Sequence, residues 1–138
     1  MNFEKCSKDI KKKIIAVSEN TRKFEIKNDK SRLVNTVKVD GCLINDGKRC
    51  DYLFEIDEPI SLVIYLELKG SDIQKAYNQL IATIGYCKHR HDKIVKECYI
   101  VASRVPRAGT DIQTLKKKMS STHKIQLFVK TQKAEITI

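Results

Sequence analysis

The sequence has no tryptophan, and only two prolines and five glycines in 138 residues. That scarcity excludes a collagen-like or Pro/Gly-rich disordered chain, and no stretch has the composition of a linker, a repeat or a low-complexity tract. Aromatic residues are 7% of the chain. The second half offers only Tyr77, Tyr86, Tyr99 and Phe128, which does not support a platform for stacking single-stranded bases. No C-x-x-C pair occurs among Cys6, Cys42, Cys50, Cys87 and Cys98. Within Cys87-Lys88-His89-Arg90-His91, residues two apart on a helix point to different faces, so only Cys87 and His91 could join Cys98 in a zinc half-site, a weak case. The odd cysteine count is read as five reduced thiols, mostly small buried packing residues. No apolar run is long enough for a membrane span, and Ile14 to Val17 is too short for a signal peptide. The expectation is a cytoplasmic protein with no membrane partner.

Acidic residues are also scarce, but only in one half. Residues 1–72 hold 14 Lys/Arg against 13 Asp/Glu, whereas residues 73–138 hold 13 against 4. A basic half beside a neutral half is how a nucleic-acid-binding surface looks in sequence, and a solvated basic face with no partner is the plainer reading. With 41% hydrophobic and 32% charged residues, the chain is expected to fold as a single domain over residues 1–138.

Along the chain, residues 7–18 read as an amphipathic helix capped by Ser7. Residues 21–27 read as a short strand. Residues 33–44 and 49–56 read as an antiparallel pair joined by the Asn45-Asp46-Gly47 turn, with Asp40-Gly41 as a kink or bulge. Residues 60–69 form a nearly unbroken apolar run, expected as a central strand covered on both faces. Ser71 is placed as the cap of a helix running to about residue 90, with Gln74 at the capping-box position. Strands are then expected at 98–103 and 124–130, a short helix at 110–119, and an edge strand at 134–138. The resulting fold class is α/β: a mixed central sheet flanked by helices.

At the end of the central strand lies Glu67-Leu68-Lys69. Residues two apart on a strand share a face, so Glu67 and Lys69 project together, as do Asp51, Leu53 and Glu55 on the neighbouring strand. Asp51 can then approach Glu67. Two carboxylates with no obvious paired arginine repel each other, and Mg²⁺, with the Leu68 carbonyl as a third ligand, is the simplest remedy. Lys69 would handle the attacking water or stabilise charge on phosphorus. A plain salt bridge between Glu67 and Lys69 is the alternative, and Glu55 is read as a solvated or paired surface acid.

Asp51, then fifteen residues, then Glu67-Leu68-Lys69 on a strand entering a helix resembles the D…(D/E)-x-K signature of the PD-(D/E)XK nuclease superfamily. VDGCLI (39–44), RCDYLFE (49–55), ELKGSD (67–72) and AYNQL (76–80) are similar to small stand-alone bacterial members of it. The resemblance implies a restriction-endonuclease-like α-β-β-β-α-β core, here with an added C-terminal helix and strands. It implies a Mg²⁺-dependent DNA nuclease, Mn²⁺ able to substitute, working as a homodimer. Asp51, Glu67, Lys69 and Gln79 would be catalytic, with Asp51, Glu67 and Leu68 on the metal. Glu19, at the end of the first helix, could add to this set, and a metal role for Asp40 is the minor alternative to its place in a bulge. Cys50 stands where the family signature has Pro. Lys88, Arg90, Arg104, Arg107, Lys116 and Lys117 are candidate contacts to nucleic acid. A non-catalytic nucleic-acid-binding or regulatory subunit on the same fold is the rival reading.

Overall fold

The computed structural model describes residues 2–104 and 110–138. Its elements run α1 (Phe3–Cys6), β1 (Ser7–Ile10), β2 (Ile14–Glu19), β3 (Arg22–Lys27), β4 (Val34–Lys38), β5 (Tyr52–Ile56), β6 (Leu62–Lys69), α2 (Ile73–Tyr86), β7 (Val95–Ala102), α3 (Thr110–Lys118), β8 (Gln126–Thr131) and β9 (Lys133–Thr137). Six strands form one sheet in the order β1-β4-β5-β6-β7-β8, and β2-β3-β9 form a second. In the large sheet β1, β4, β5 and β6 pair antiparallel, and β6, β7 and β8 pair parallel.

The central place of β6 follows from its composition. Residues 63–68 are all buried, as a strand covered on both faces requires. Val63 and Tyr65 face a core shared with Leu53, Ile100 and the α2 residues Ala76, Tyr77 and Leu80. Ile64, Leu66 and Leu68 face a second core shared with Phe24 and Ile26 of the small sheet. Helices α2 and α3 thus cover one face of the large sheet, and the small sheet covers the other. This corrects the expectation of a sheet flanked by helices. Each fully buried large apolar side chain contributes about 1.5–3 kcal/mol, and the core under the helices is the larger of the two.

The expected helix over residues 7–18 is not formed. Ser7 ends the four-residue α1 instead of starting a helix, and Lys11 to Lys13 mark an exposed break between two strands. Ile14, Ile15 and Val17 are β-branched, and such residues favour the pleated surface. Their pairing opposes Ile15 to Ile26 and Val17 to Phe24, so a period of two prevails over the helical spacing. A two-residue hairpin at 45–47 is also absent, because β4 stops at Lys38 and β5 starts at Tyr52. Between them, residues 39–44 close a turn through Gly41 at φ +81°, and Gly47 adopts the same φ; that region favours glycine. Helix α2 is capped by Asp72, whose side chain accepts from the Lys75 amide at 2.9 Å, and not by Ser71. It ends at Tyr86, where Cys87 leaves helical backbone angles and the Lys88 amide tightens to the Gly85 carbonyl at 3.3 Å.

The cysteines need one correction. Cys6 and Cys42 are joined as a disulfide with their Cα atoms 5.7 Å apart, so the chain does not carry five free thiols. Cys50, Cys87 and Cys98 are free and buried. Among the described residues no helix is long and apolar enough to cross a membrane.

Candidate active site

The end of the large sheet where β6 gives out carries the expected residues. Tyr52 pairs with Leu66, so the next positions outward, Asp51 and Glu67, lie opposite each other across β5 and β6. Asp51 is fixed through three groups. Its amide donates to the Leu66 carbonyl at 3.1 Å, and its carbonyl accepts from the amides of Val39 at 3.0 Å and Asp40 at 3.3 Å. Its carboxylate Oδ2 accepts from the Leu68 amide at 2.7 Å. In an extended strand the N–H and C=O of one residue point to the same side. The carbonyl of Leu68 therefore points to the side on which Asp51 stands, past the end of β5.

Glu67 is 2% exposed, and its Oε1 is buried with no hydrogen-bond partner among the described residues. Burial, the Asp51 charge and a hydrogen bond to Asp51 raise its carboxyl well above the usual range, to about 9, and Lys69 offsets only part of this. Asp51 is raised too, by burial first, while the Leu68 amide pulls it down and Glu19 adds repulsion. The two carboxyls thus share a proton when nothing else neutralises them. Lys69 is half-buried on the same face of β6 as Glu67.

Two clefts flank the segment 47–51. One, of about 240 Å³, is lined by Ser18, Glu19, Lys38, Asp40, Asp51 and Tyr52. Glu19 therefore stands beside Asp51 as expected, but it comes from the β2–β3 hairpin and not from a helix. Asp40 joins it, held by Arg49 Nε at 2.8 Å. Both acids are candidates in the sequence, but their meeting beside Asp51 depends on how the small sheet and the 39–44 turn pack. The second cleft, of about 500 Å³, is lined in part by Lys48, Asp72, Lys75 and Gln79. Gln79 Nε2 donates to the Arg49 carbonyl at 3.1 Å, and Thr83 Oγ1 accepts from the Cys50 amide at 2.8 Å. Helix α2 thereby braces the segment that presents Asp51, and Gln79 Oε1 is a second buried oxygen without a donor.

The remaining candidates fall at different places. Arg104 is exposed just past β7, directly after Ser103, whose amide bonds the carbonyls of Lys69 at 3.2 Å and Gly70 at 2.7 Å. Lys116 and Lys117 line a groove of about 670 Å³ along β8, apart from the acid pair. Lys88 is exposed beyond the C-terminal end of α2. Arg90 is committed elsewhere: it holds Glu55 through two bonds of 2.7 and 3.0 Å and stacks 3.9 Å over the Phe3 ring. Arg107 lies outside the described residues.

Glu55 is a buried acid, 2% exposed, and not a surface one. It is bonded by Arg90, His91 and Asn35, and His91 reaches Tyr65 through its other nitrogen. His91 is therefore spent in a buried polar network and is not a zinc ligand in waiting.

The donor set fits a hard divalent cation. Among the described residues no three of His, Cys, Asp and Glu converge as a ready-made metal site, which is the demand of zinc. Mg²⁺ needs only one or two carboxylates besides water and substrate oxygens, and the paired carboxyls of Asp51 and Glu67, with Glu67 Oε1 unsatisfied among the described residues, meet that need. No family model matches the chain, and no curated protein or solved structure matches it significantly.

Proposed function

We propose that this protein is a divalent-metal-dependent nuclease that hydrolyses phosphodiester bonds of DNA. One observation carries the reading: two carboxyls, Asp51 and Glu67, are forced together at the end of the central strand with Lys69 beside them, and the buried Glu67 oxygen lacks a donor. A buried acid pair of this kind is costly unless a cation neutralises it. The resemblance to the PD-(D/E)XK superfamily in these same residues points the same way. The site also opens where ligands bind in α/β sheets, beyond the carboxyl ends of parallel strands.

Asp51, Glu67 and the Leu68 carbonyl would hold Mg²⁺, with Mn²⁺ as a substitute. Such an ion supplies Lewis acidity and a nucleophile at neutral pH. The chain's own residues do the rest. The Leu68 amide and the 39–44 turn keep Asp51 in register. Lys69 places its ammonium beside Glu67, where it steadies the attacking water and the charge that builds on the phosphorus as the leaving P–O bond breaks. Gln79 braces the Asp51 segment from α2. Lys38, Lys48, Lys75 and Arg104 surround this end of the sheet and would meet the phosphate backbone. A homodimer, implied by the resemblance, would bring one site to each strand of a duplex.

The test is cleavage of circular duplex DNA, circular single-stranded DNA and structured RNA by the purified protein, with Mg²⁺ or Mn²⁺ and with EDTA, beside Lys69→Ala. Metal-dependent cutting lost with EDTA and with K69A supports the reading. If no substrate is cut and calorimetry finds no Mn²⁺ binding that Asp51→Asn removes, the nuclease reading is wrong and the rival nucleic-acid-binding module takes its place.

A further inference from the structure

We propose that Cys6 and Cys42 form a thiol–disulfide exchange site whose redox state sets how firmly Asp51 is held. For its catalytic consequence alone, this rests on the function proposed above. Cys6 is the last residue of α1, and Cys42 sits inside the 39–44 turn. That turn is closed on itself by the amide of Ile44 on the Val39 carbonyl at 3.0 Å, of Leu43 on Lys38 at 3.2 Å and of Cys42 on Val39 at 3.3 Å. Its two leading amides, those of Val39 and Asp40, are the donors that hold the Asp51 carbonyl. A cross-link at Cys42 therefore acts three residues or fewer from the two amides that hold the Asp51 carbonyl. The same turn carries Asp40 into the cleft that Asp51 lines.

The bond joins residues 36 positions apart and ties the turn to α1. Helix α1 has an anchor of its own, because Phe3 lies under the Arg90 guanidinium and edge-on to His91. Cutting the cross-link leaves α1 seated and releases the turn.

Exchange is confined to this pair. Cys50, Cys87 and Cys98 are fully buried, which keeps an attacking thiol in solution from reaching them. Cys42 is half-buried and open to attack, whereas Cys6 is 8% exposed. In the reductive direction a small thiolate of the glutathione class attacks the Cys42 sulfur. The disulfide breaks, and the electron pair leaves on the Cys6 sulfur, which takes a proton. A second small thiolate attacks the mixed disulfide, freeing the Cys42 thiol and a small-molecule disulfide. Two electrons pass from the two small thiols to the protein.

The experiment equilibrates the full chain in buffers of oxidised or reduced glutathione. It then unfolds a quenched sample in denaturant and counts alkylated thiols by mass, and on the folded protein follows hydrogen exchange at the amides of Val39 and Asp40 and titrates Mn²⁺. Three thiols should alkylate in the oxidised buffer and five in the reduced one. On reduction the two amides should exchange on the order of tenfold faster, and Mn²⁺ should bind about 10–100-fold more weakly, as when a ligand loses its supporting contacts. Cys42→Ser, with four thiols, should match the reduced protein in amide exchange and Mn²⁺ binding in both buffers; reduced wild type supplies the same comparison if that variant folds poorly. Five alkylated thiols in the oxidised buffer, or amide exchange indifferent to redox state, overturns the proposal. Should the amides respond while neither form binds Mn²⁺, the redox site stands and the nuclease reading fails.

Discussion

The backbone amide of Leu68 donates to Asp51 Oδ2 at 2.7 Å, so the central strand holds one acid of the pair while carrying the other one residue earlier. A hydrogen bond to the charged form favours ionisation of Asp51 and assigns the shared proton to Glu67. The amide keeps the two carboxyls together although their repulsion would separate them.

Glu67→Gln should therefore stabilise the metal-free protein. The folded-state pKa of Glu67 is raised, by burial and then by Asp51, from 4.5 to about 9. Its contribution to stability is complete below pH 4.5 and is lost as pH rises through that interval, with a limiting slope of about 1.4 kcal/mol per pH unit. Thermal melts of the wild type should fall across this range, and those of E67Q should be flatter. The gain at pH 8 should be about 1–3 kcal/mol, the cost of an unsatisfied buried polar group. Mn²⁺ should raise the wild-type melting temperature and leave that of E67Q nearly unchanged.

Lys69→Ala should lower kcat on the order of 10²–10⁴-fold with Mn²⁺ binding retained, because the ammonium acts on developing charge and not on the ion. Asp51→Asn should abolish Mn²⁺ binding. Calorimetry and single-turnover cleavage separate the two effects.

Glu55→Gln should destabilise the fold. Burial penalises the Glu55 carboxylate, but hydrogen bonds from His91, Arg90 and Asn35 outweigh it and hold the pKa at about 2. The stability these bonds supply is present above pH 4.5 and is lost as pH falls from there to about 2. Urea melts should show E55Q weaker by about 3–5 kcal/mol at pH 7, as when a buried ion pair loses one partner, with the difference closing in acid.

Asn28→Ala should cost about 2–4 kcal/mol, at net contributions of roughly 1 kcal/mol for each lost bond plus the stranded backbone groups. Asn28 is fully buried and bonds the Lys12 carbonyl at 3.1 Å, the Arg32 carbonyl at 2.7 Å and the Arg32 amide at 2.9 Å. It staples the β1–β2 and β3–β4 connections together. Chemical denaturation measures the loss, and Asn28→Asp should recover little because it keeps only the acceptor.

The sequence was most legible where one pattern dominated. Residues 62–69 could only be a central strand, and their alternation put Glu67 and Lys69 on one face. The antiparallel pairing of β4 with β5 followed from ordinary strand and turn signals. What stayed hidden depends on contacts between distant segments. The lysines at 11–13 made residues 7–18 look amphipathic at helical spacing, and only pairing with Arg22–Lys27 turns Ile15 and Val17 into strand residues. Glu55 reads as a surface acid until Arg90 and His91, 35 and 36 residues away, are folded onto it. The Cys6–Cys42 bond likewise has no spacing signature, because it depends on α1 lying against the 39–44 turn.

The small sheet has a consequence for synthesis. Its middle strand, β3, pairs on one side with β2 and on the other with β9, through matches such as Phe24 with Ala134 and Ile26 with Ile136. On a ribosome, Phe24 and Ile26 emerge more than a hundred residues before their last partners. Closing so long a loop is slow, and the apolar face waits exposed in the meantime. The β2–β3 hairpin that delivers Glu19 is thus made long before the strand that secures its far edge. A nascent chain stalled before residue 133 would carry Asp51, Glu67 and Lys69 in place, with the sheet behind Glu19 still open.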